Sequence, residues 1–463
     1  MSEWNIKKLS EVADIIGGGT PSSKENAYYE NGTIAWLTPK DLSNHKEMYI
    51  SKGERNITQL GLKNSSAKLL PKGAVLFSSR APIGYVAIAK NTLSTNQGFK
   101  SLILKSGHIP EFYYYLLKNN ISLFEARASG STFKEVSGQV VKDTELKIPD
   151  TETQRNIVKI LKPLDDKITL NTQTNQTLEQ IAQGIFKHWF IDFAPVHAKA
   201  NALARGETIE QAELAAMACL SGKTVEKITA LKTEDPTAYH QLQQTAAAFP
   251  SEFVETEMGQ VPKGWEVENI GNIADVIKGK SYKSNELTNS TTALVTLKSF
   301  NRGGGYRIDG LKEYSGKYKP EQEVYAGELI IAYTDVTQAA DIIGKPAMVM
   351  SNNNYEHLVI SLDVAVVRPK NKYLKYFLYC LAMTERFQQH TKSFCSGTTV
   401  LHLGKNAVPS FQFAMPNQKL LIDLDKKLRS IFEKINLNTQ ENESLTKTRD
   451  ELLPRLLSGE IEL

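Results

Sequence analysis

Residue types that could support catalysis occur in this chain, but their spacing matches no catalytic motif. Gly222-Lys223-Thr224 has the ending of a phosphate-binding loop, yet Met217 stands where that loop requires a glycine. The eight histidines show no metal-ligand spacing, and no G-x-S-x-G nucleophile motif or Asn-Pro-Pro-Tyr tetrapeptide occurs. We therefore predict a chain that is not itself an enzyme and holds no cofactor or metal. A nuclease site scattered among Asp, Glu and Lys side chains remains an open alternative.

Cysteine usage and hydropathy predict a reduced, cytoplasmic protein. Cys219, Cys380 and Cys395 form neither a C-x-x-C pair nor a disulfide framework. No apolar run reaches the ~18 residues of a membrane span, and the first residues are too polar for a signal peptide. We expect no interaction with a membrane.

Charge is distributed in blocks along the chain. The net charge is +5 over residues 1–150 and +4 over residues 261–416, whereas residues 191–260 carry −5. Two mildly basic blocks are compatible with binding a polyanion, although most Lys and Arg side chains are expected on ordinary solvated surface. The acidic, alanine-rich stretch between them is predicted to be partly helical and to act as a connector, with docking of a partner as the alternative.

Internal repeats indicate that the chain is a duplication. The hexapeptide WNIKKL at 4–9 recurs as WEVENI at 265–270, and ADII at 13–16 recurs as ADVI at 274–277. LNTQ at 170–173 returns unchanged at 437–440, at an offset of 267. The centres of the two copies diverge, which is expected if one frame carries two different recognition surfaces.

Each copy is predicted to be a mixed α/β (α+β) module, and the modules stand in tandem. Short apolar runs punctuated by Gly and Pro indicate strands, at residues 74–77, 85–89, 101–104, 328–333 and 359–367. Helices are predicted at 110–118 and 373–389. We divide the chain into a first module (1–150), a long helix (151–190), the acidic insert (191–260), a second module (261–416) and a second long helix (417–463).

The two long helices show heptad seams in which apolar residues recur at alternating steps of four and three. The first seam is Ile157, Leu161, Leu164, Ile168, Asn171, Asn175, Leu178, Ala182, Ile185 and Trp189. The second is Leu424, Leu428, Ile431, Ile435, Asn438, Asn442, Leu445, Arg449, Leu452 and Leu456, each 267 residues later. These seams predict that the two helices pair as an antiparallel coiled coil and, with the duplication, that the chain has pseudo-twofold symmetry.

Polar seam positions predict how the helices pair. In an antiparallel coiled coil, Asn171 and Asn175 could meet Asn438 and Asn442, and such residues set register. Pro163 predicts either a kink or a regular helix that begins near it. Pro454 is predicted to mark the end of the second helix.

The chain resembles the specificity subunits of type I restriction–modification enzymes over almost its whole length. The first module carries the segments WNIKKL (4–9), GGTP (18–21), WLTPKDL (36–42), SSRAPIG (78–84) and TNQGFK (95–100). The central segments are LDDKITLN (164–171), IFKHWF (185–190), FAPV (193–196) and GQVPKGW (259–265). The second module departs from this pattern, because Tyr333-Thr334 stands where the first has Ser79-Arg80.

The resemblance implies a DNA-specificity function. Each module would read one half of a bipartite site in double-stranded DNA. The helices would set the half-site spacing and dock two methyltransferase (modification) subunits, which bind S-adenosylmethionine and methylate adenine. Motor–nuclease (restriction) subunits would add cleavage that depends on ATP and Mg²⁺. None of these cofactors is expected on this chain.

Loop residues that can contact phosphates or base edges are the candidates for DNA binding. In the first module these are Lys24, Lys40, Arg80, Asn96, Gln97 and Lys134. In the second they are Lys280, Lys283, Lys298, Arg302, Arg307 and Tyr333. Asn96 and Gln97 could instead bond neighbouring backbone. The competing hypotheses are an undetected nuclease or methyltransferase, and a scaffold or adaptor whose duplicated modules bind proteins.

Overall fold

The computed structural model describes residues 4–43, 45–130, 134–336 and 340–463. Its contacts divide the chain into two units, one formed by Met1–Thr172 with Glu441–Leu463 and the other by Gln173–Gln440. Two long helices, Thr151–Phe190 and Gln418–Ser458, each contribute to both units.

The first module consists of short strands, which form two larger sheets and one two-stranded sheet, and of helices that pack against them. Its strands are β1 (Trp4–Lys8), β2 (Ala13–Gly17), β3 (Ile34–Leu37), β4 (Tyr49–Ile50), β5 (Arg55–Ile57), β6 (Leu69–Leu70), β7 (Val75–Ser79), β8 (Ile83–Ala89), β9 (Leu93–Thr95), β10 (Lys100–Leu104) and β11 (Glu145–Pro149). Its helices are Leu9–Val12, Pro39–Leu42, Gln59–Lys63, Pro110–Asn119, Ile121–Ala126 and Gly138–Asp143.

The strand order places several loops of the first module side by side. One sheet has the order β2-β10-β7-β8-β4 and the other has the order β5-β3-β9-β6, while β1 pairs with β11. Strands β3 and β9 run parallel, so the loops after them leave the same edge. Helix Pro110–Asn119 buries a continuous apolar and aromatic run beneath the first sheet.

The second module follows a two-stranded connector, β12 (Phe253–Thr256) and β13 (Gly259–Pro262). Its strands are β14 (Glu266–Asn269), β15 (Ala274–Lys278), β16 (Thr292–Val295), β17 (Lys312–Glu313), β18 (Glu323–Val324), β19 (Leu329–Ala332), β20 (Thr334–Asp335), β21 (Pro346–Met348), β22 (His357–Ile360), β23 (Val364–Pro369), β24 (Cys395–Ser396), β25 (Leu401–Leu403) and β26 (Gln412–Met415). Its helices are Ile270–Ile273, Lys375–Met383 and Glu385–Ser393.

The second module repeats the strand order of the first. The order β15-β23-β19-β21 corresponds to β2-β10-β7-β8, and β17-β16-β22-β18 corresponds to β5-β3-β9-β6. Strands β16 and β22 are parallel, as β3 and β9 are. The predicted mixed α/β modules in tandem are therefore confirmed, and the duplication extends through the centres where sequence similarity is lost.

The acidic insert is mainly helical. Its helices are Ala194–Ala204, Ile209–Ser221, Val225–Glu234 and Pro236–Ala248. A small core of Ala216, Met217, Ile228 and Ala246 holds them together. Phe249, at the end of the last helix, packs edge-on against Trp189 of the first long helix.

Two predicted elements of the second module are each divided in the structure. The run at 359–367 forms β22 and β23, which pair with different partners and belong to different sheets. The helix predicted at 373–389 is interrupted at Thr384, whose backbone is extended and whose hydroxyl caps the following helix by accepting from Phe387 N. A capping residue of this kind starts a new helix more favourably than it continues an old one.

Pro454 does not end its helix as predicted, and of the two alternatives for Pro163 the structure excludes a helix that begins near it. The first long helix begins at Thr151 rather than near Pro163, and the second runs beyond Pro454 to Ser458. Both prolines are exposed. Leu456 and Leu457 beyond Pro454 are buried in the first unit's core. Their burial offsets the missing backbone hydrogen bond.

Within each unit the two long helices are antiparallel neighbours. In the first unit Asn171 Nδ2 donates to Asn442 Oδ1 at 2.9 Å, and Arg449 Nη1 lies 2.6 Å from Asp165 Oδ1. In the second unit Asn438 Nδ2 donates to Asn175 Oδ1 at 2.8 Å. All predicted seam positions are buried or partly buried. That these asparagines select the register remains a prediction.

Candidate nucleic-acid interface

Three loops of the first module lie together because Gly19 forms hydrogen bonds to both of the other two. Gly19 N donates to Thr95 O at 2.9 Å, and Trp36 Nε1 donates to Gly19 O at 2.9 Å. A Cβ on Gly18 would lie 2.0 Å from Asn96 O, so only glycine permits this approach. The segments at 18–21, 36–42 and 95–100 thus form one loop cluster.

Asn96 and Gln97 take different roles within this loop cluster. Asn96 Oδ1 accepts from Gly98 N at 2.9 Å, which closes the turn after β9. That bond is the backbone-bonding role considered for it as an alternative. Gln97 is exposed, and its Oε1 accepts a hydrogen bond from the Thr20 hydroxyl. Gln97 can therefore present its amide outward, whereas Asn96 holds the loop.

The basic candidates of the first module lie on or beside the loop cluster. Lys40 lies in a turn that is fixed by a hydrogen bond of 2.7 Å from Thr38 N to Asp41 Oδ2. Lys40 forms a 2.9 Å ion pair with Glu54, but with 74% of its side chain exposed this pair contributes little stability. Lys24 and Lys134 are exposed.

Arg80 belongs to a group of three charges at the end of β7. Its Nη1 lies 3.2 Å from Glu135 Oε2, and Lys100 Nζ lies 3.1 Å from Glu135 Oε1. Lys100 Nζ is also 3.4 Å from Ser79 Oγ and from Gln97 O, which joins this group to the loop cluster.

The second module builds the corresponding loops from different residues. A Cβ on Gly279 would lie 2.2 Å from Ile360 O, and Lys280 N donates to Ile360 O at 2.8 Å, so Gly279 and Lys280 match Gly18 and Gly19. Thr296 Oγ1 accepts from Lys298 N at 3.2 Å in the turn after β16. Lys298 is thus the counterpart of Lys40, and it is exposed.

The remaining cationic candidates of the second module are on nearby turns. Arg302 is exposed on a tight loop closed by Asn301 N donating to Gly305 O at 3.0 Å. Arg307 is held by Asp309 through two hydrogen bonds of 3.0 and 3.1 Å, which raise the pKa of Arg307. Lys283 is exposed at the start of a helical turn.

Tyr333 is placed differently from the other candidates. Its side chain is only 2% exposed and packs in the second unit's core, where burial raises the pKa of Tyr333. The Lys278 ammonium lies 4.8 Å from the centre of its ring. A side chain in this position cannot reach a base edge without rearrangement, so we leave Tyr333 out of the proposed interface.

Residues 1–180 and 262–447 match the family model described as the type I restriction modification DNA specificity domain. The chain belongs to the type I restriction–modification specificity subunits. The two matched ranges cover both modules and most of both long helices.

Full-length relatives agree with this membership. The specificity subunit is 32% identical to the type I restriction enzyme MjaIX specificity subunit of Methanocaldococcus jannaschii, over 100% of this chain and 94% of the relative. It is also 32% identical to the HindI specificity subunit of Haemophilus influenzae, over 100% of both chains. A crystal structure of the type I S subunit from M. genitalium has the same fold, with a TM-score of 0.50, 15% identity and coverage of 98% and 96%.

Two charged residues of the specificity subunit's first module were missed by sequence reasoning. Lys100 was visible as the last residue of the segment at 95–100. Glu135 gave no signal, because it is 55 residues from Arg80 along the chain and the two meet only through strand-like pairing.

The part of the specificity subunit that the structure describes contains neither a candidate metal site nor a candidate membrane span. Among residues 4–43, 45–130, 134–336 and 340–463, no three His, Cys, Asp or Glu side chains are grouped as a metal site requires. Within those same ranges, no helix combines the length and apolar character needed to cross a bilayer. The comparisons indicate no catalytic family.

Proposed function

We propose that this specificity subunit binds double-stranded DNA and reads a bipartite target, one part with each module, without catalysing a reaction itself. The observation that carries the proposal is the repeated sheet frame with different loop residues. At equivalent positions the first module has Gly19 and Arg80, whereas the second has Lys280 and Thr334. The same sheet arrangement with different hydrogen-bond donors on its loops suits two half-sites of different sequence.

The long helices are proposed to set the spacing between the half-sites and to dock the catalytic partners. These partners would be two methyltransferase subunits that bind S-adenosylmethionine. Motor–nuclease subunits using ATP and Mg²⁺ would join the same complex. In this arrangement specificity and catalysis lie on separate chains.

Methylation mapping tests the proposal. The chain is co-expressed with its cognate modification subunit in a host without adenine methylation of its own, and the genome is sequenced for methyladenine. We expect one motif with two specified parts and an unspecified gap. The modification subunit expressed alone is the control and should leave no such motif. A complex that forms but methylates no defined motif would contradict the proposal and favour a protein scaffold.

The repeat offers a test of partner docking. Leu170 and Leu437 occupy the same place in the two copies of LNTQ and are 57% and 59% exposed. Leu170→Glu and Leu437→Glu are each expected to weaken one methyltransferase site by roughly tenfold or more, because burying a leucine contributes about 1.5–3 kcal/mol. Native mass spectrometry should show one bound subunit with either variant and none with both.

The matched control is Ile209→Glu in the acidic insert, where Ile209 is 71% exposed. It removes a comparably exposed apolar side chain away from the repeat, and two methyltransferase subunits should remain bound. Full occupancy in the double Leu variant would rule out docking at these positions.

A further inference from the structure

Glu135 stands between two cations at the open edge of the first module. Its two carboxylate oxygens are used separately, Oε2 by Arg80 at 3.2 Å and Oε1 by Lys100 at 3.1 Å. The exposed side-chain fractions are 35% for Arg80, 34% for Glu135 and 15% for Lys100. The group carries a net positive charge and is partly open to solvent.

The backbone around this group is fixed by the sheet. Ser79 N donates to Gly98 O at 2.8 Å, and Val136 N donates to Ser79 O at 3.0 Å. Arg80 and Glu135 face each other across an isolated antiparallel bridge. The ion pair therefore joins two segments whose spacing is already set by backbone hydrogen bonds, so Glu135 restricts the Arg80 side chain rather than the fold.

The second module has the same backbone contacts and different side chains. Leu403 N donates to Tyr333 O at 2.8 Å, as Val136 N does to Ser79 O. Thr334 and His402 pair across the ladder where Arg80 and Glu135 pair in the first module. The Thr334 hydroxyl donates to Asp363 Oδ1 at 2.8 Å. This position in the second module has neither a guanidinium nor the carboxylate that would hold one.

A carboxylate beside the arginine argues against a simple phosphate anchor. Glu135 would weaken the attraction of both cations for a phosphate. An arginine that reads a base gains from such a neighbour, because a guanidinium held in one orientation loses less side-chain entropy on binding. Within the described residues Arg80 uses only Nη1 for side-chain hydrogen bonds, so its other donors are available.

We propose that Arg80 reads a guanine in the half-site of the first module and that Glu135 is the positioning residue that orients it. The inference rests on the proposed function. A guanidinium can donate two hydrogen bonds to guanine O6 and N7 in the major groove, which is the commonest specific contact of arginine. The second module, with Thr334 and His402 at this position, does not make this contact.

The test compares variants by methylation mapping and by binding of the purified methyltransferase complex to duplexes with single base changes. Arg80→Gln should reduce discrimination at one guanine of one half-site by roughly tenfold or more. Arg80→Lys should reduce discrimination at the same guanine but leave the salt dependence of DNA binding unchanged, because lysine retains the charge without the planar donor pair. Glu135→Gln should give a smaller loss at the same base pair.

Two matched variants distinguish a loss of base reading from misfolding and from the loss of a positive charge. His402→Ala changes the equivalent position of the second module and should leave the first half-site unaltered. Lys40→Ala should weaken binding to all sequences alike and lower the salt slope by about one. An unchanged second half-site in the Arg80 and Glu135 variants shows that the complex remains folded.

The outcomes distinguish the two proposals. Undiminished discrimination at every base pair of the target in Arg80→Gln overturns the inference and leaves the proposed function standing. If the unsubstituted chain yields no bipartite motif, the proposed function and the inference both fail.

Discussion

Inserting one heptad in phase into both long helices is expected to widen the gap between the two target parts by about three base pairs. Seven residues add about 10 Å of helix at about 1.5 Å per residue, and duplex DNA rises about 3.4 Å per base pair. The half-site sequences should not change, because no recognition loop is altered. Methylation mapping would show the same two parts with a longer gap.

The insertion points follow from the seam contacts. Seven residues placed after Thr172 in the first long helix and after Gln440 in the second keep every seam position in phase. The Asn171–Asn442 and Asn175–Asn438 contacts lie on either side of the insertions. A heptad inserted at exposed Gly206 of the acidic insert is the control and should leave the gap unchanged. An unchanged gap in the double insertion would contradict the spacing role of the helices.

Replacing Arg449 by leucine is expected to destabilise the first unit by about 3–5 kcal/mol. Arg449 Nη1 lies 2.6 Å from Asp165 Oδ1, with side chains only 18% and 14% exposed. Tyr115 OH donates to Asp165 Oδ2 at 2.6 Å, so Asp165 connects the module to both long helices. Without Arg449 the carboxylate stays buried with its compensating charge removed. Urea unfolding of the full chain should show a lower midpoint for the first unit.

The matched control uses a neighbouring ion pair on the same helix. Lys162 Nζ lies 2.5 Å from Asp166 Oδ2, but these side chains are 30% and 58% exposed. Lys162→Leu should change stability by less than about 1 kcal/mol, because exposed pairs contribute little. Adding Asp165→Asn to Arg449→Leu should recover part of the loss, since the unpaired charge is then removed. Equal effects of Arg449→Leu and Lys162→Leu would show that burial of the pair does not matter.

The sequence by itself determined the features that depend on local periodicity and on duplication. The heptad steps predicted two long helices, and every seam position is buried or partly buried. The repeated segments indicated two copies of one module, which the strand orders confirm. Helix periodicity is a pattern of nearby residues, and repeats are found by comparing segments of the sequence. Both can therefore be recognised without knowing which distant segments are in contact.

Tertiary structure decided the outcome wherever a distant contact outweighed a local preference. Pro454 did not end its helix, because the leucines beyond it are buried in the first unit. The single apolar run at 359–367 became two strands, since its halves pair with different sheets. Tyr333 had the residue type of a DNA contact but lies in the core.

For the candidate interface, too, the sequence predicted some features and only the tertiary structure decided the others. Residue type and motif position were enough to select Arg80, Gln97 and Lys40 as loop residues. The pairing of Arg80 with Glu135 required the folded sheet, because Glu135 is 55 residues away and belongs to no motif. The sequence already matched Thr334 to Arg80, but the match of His402 to Glu135 came from the ladder registers. Base-reading geometry depends on which strands become neighbours, and long-range pairing is the information that a single sequence carries least directly.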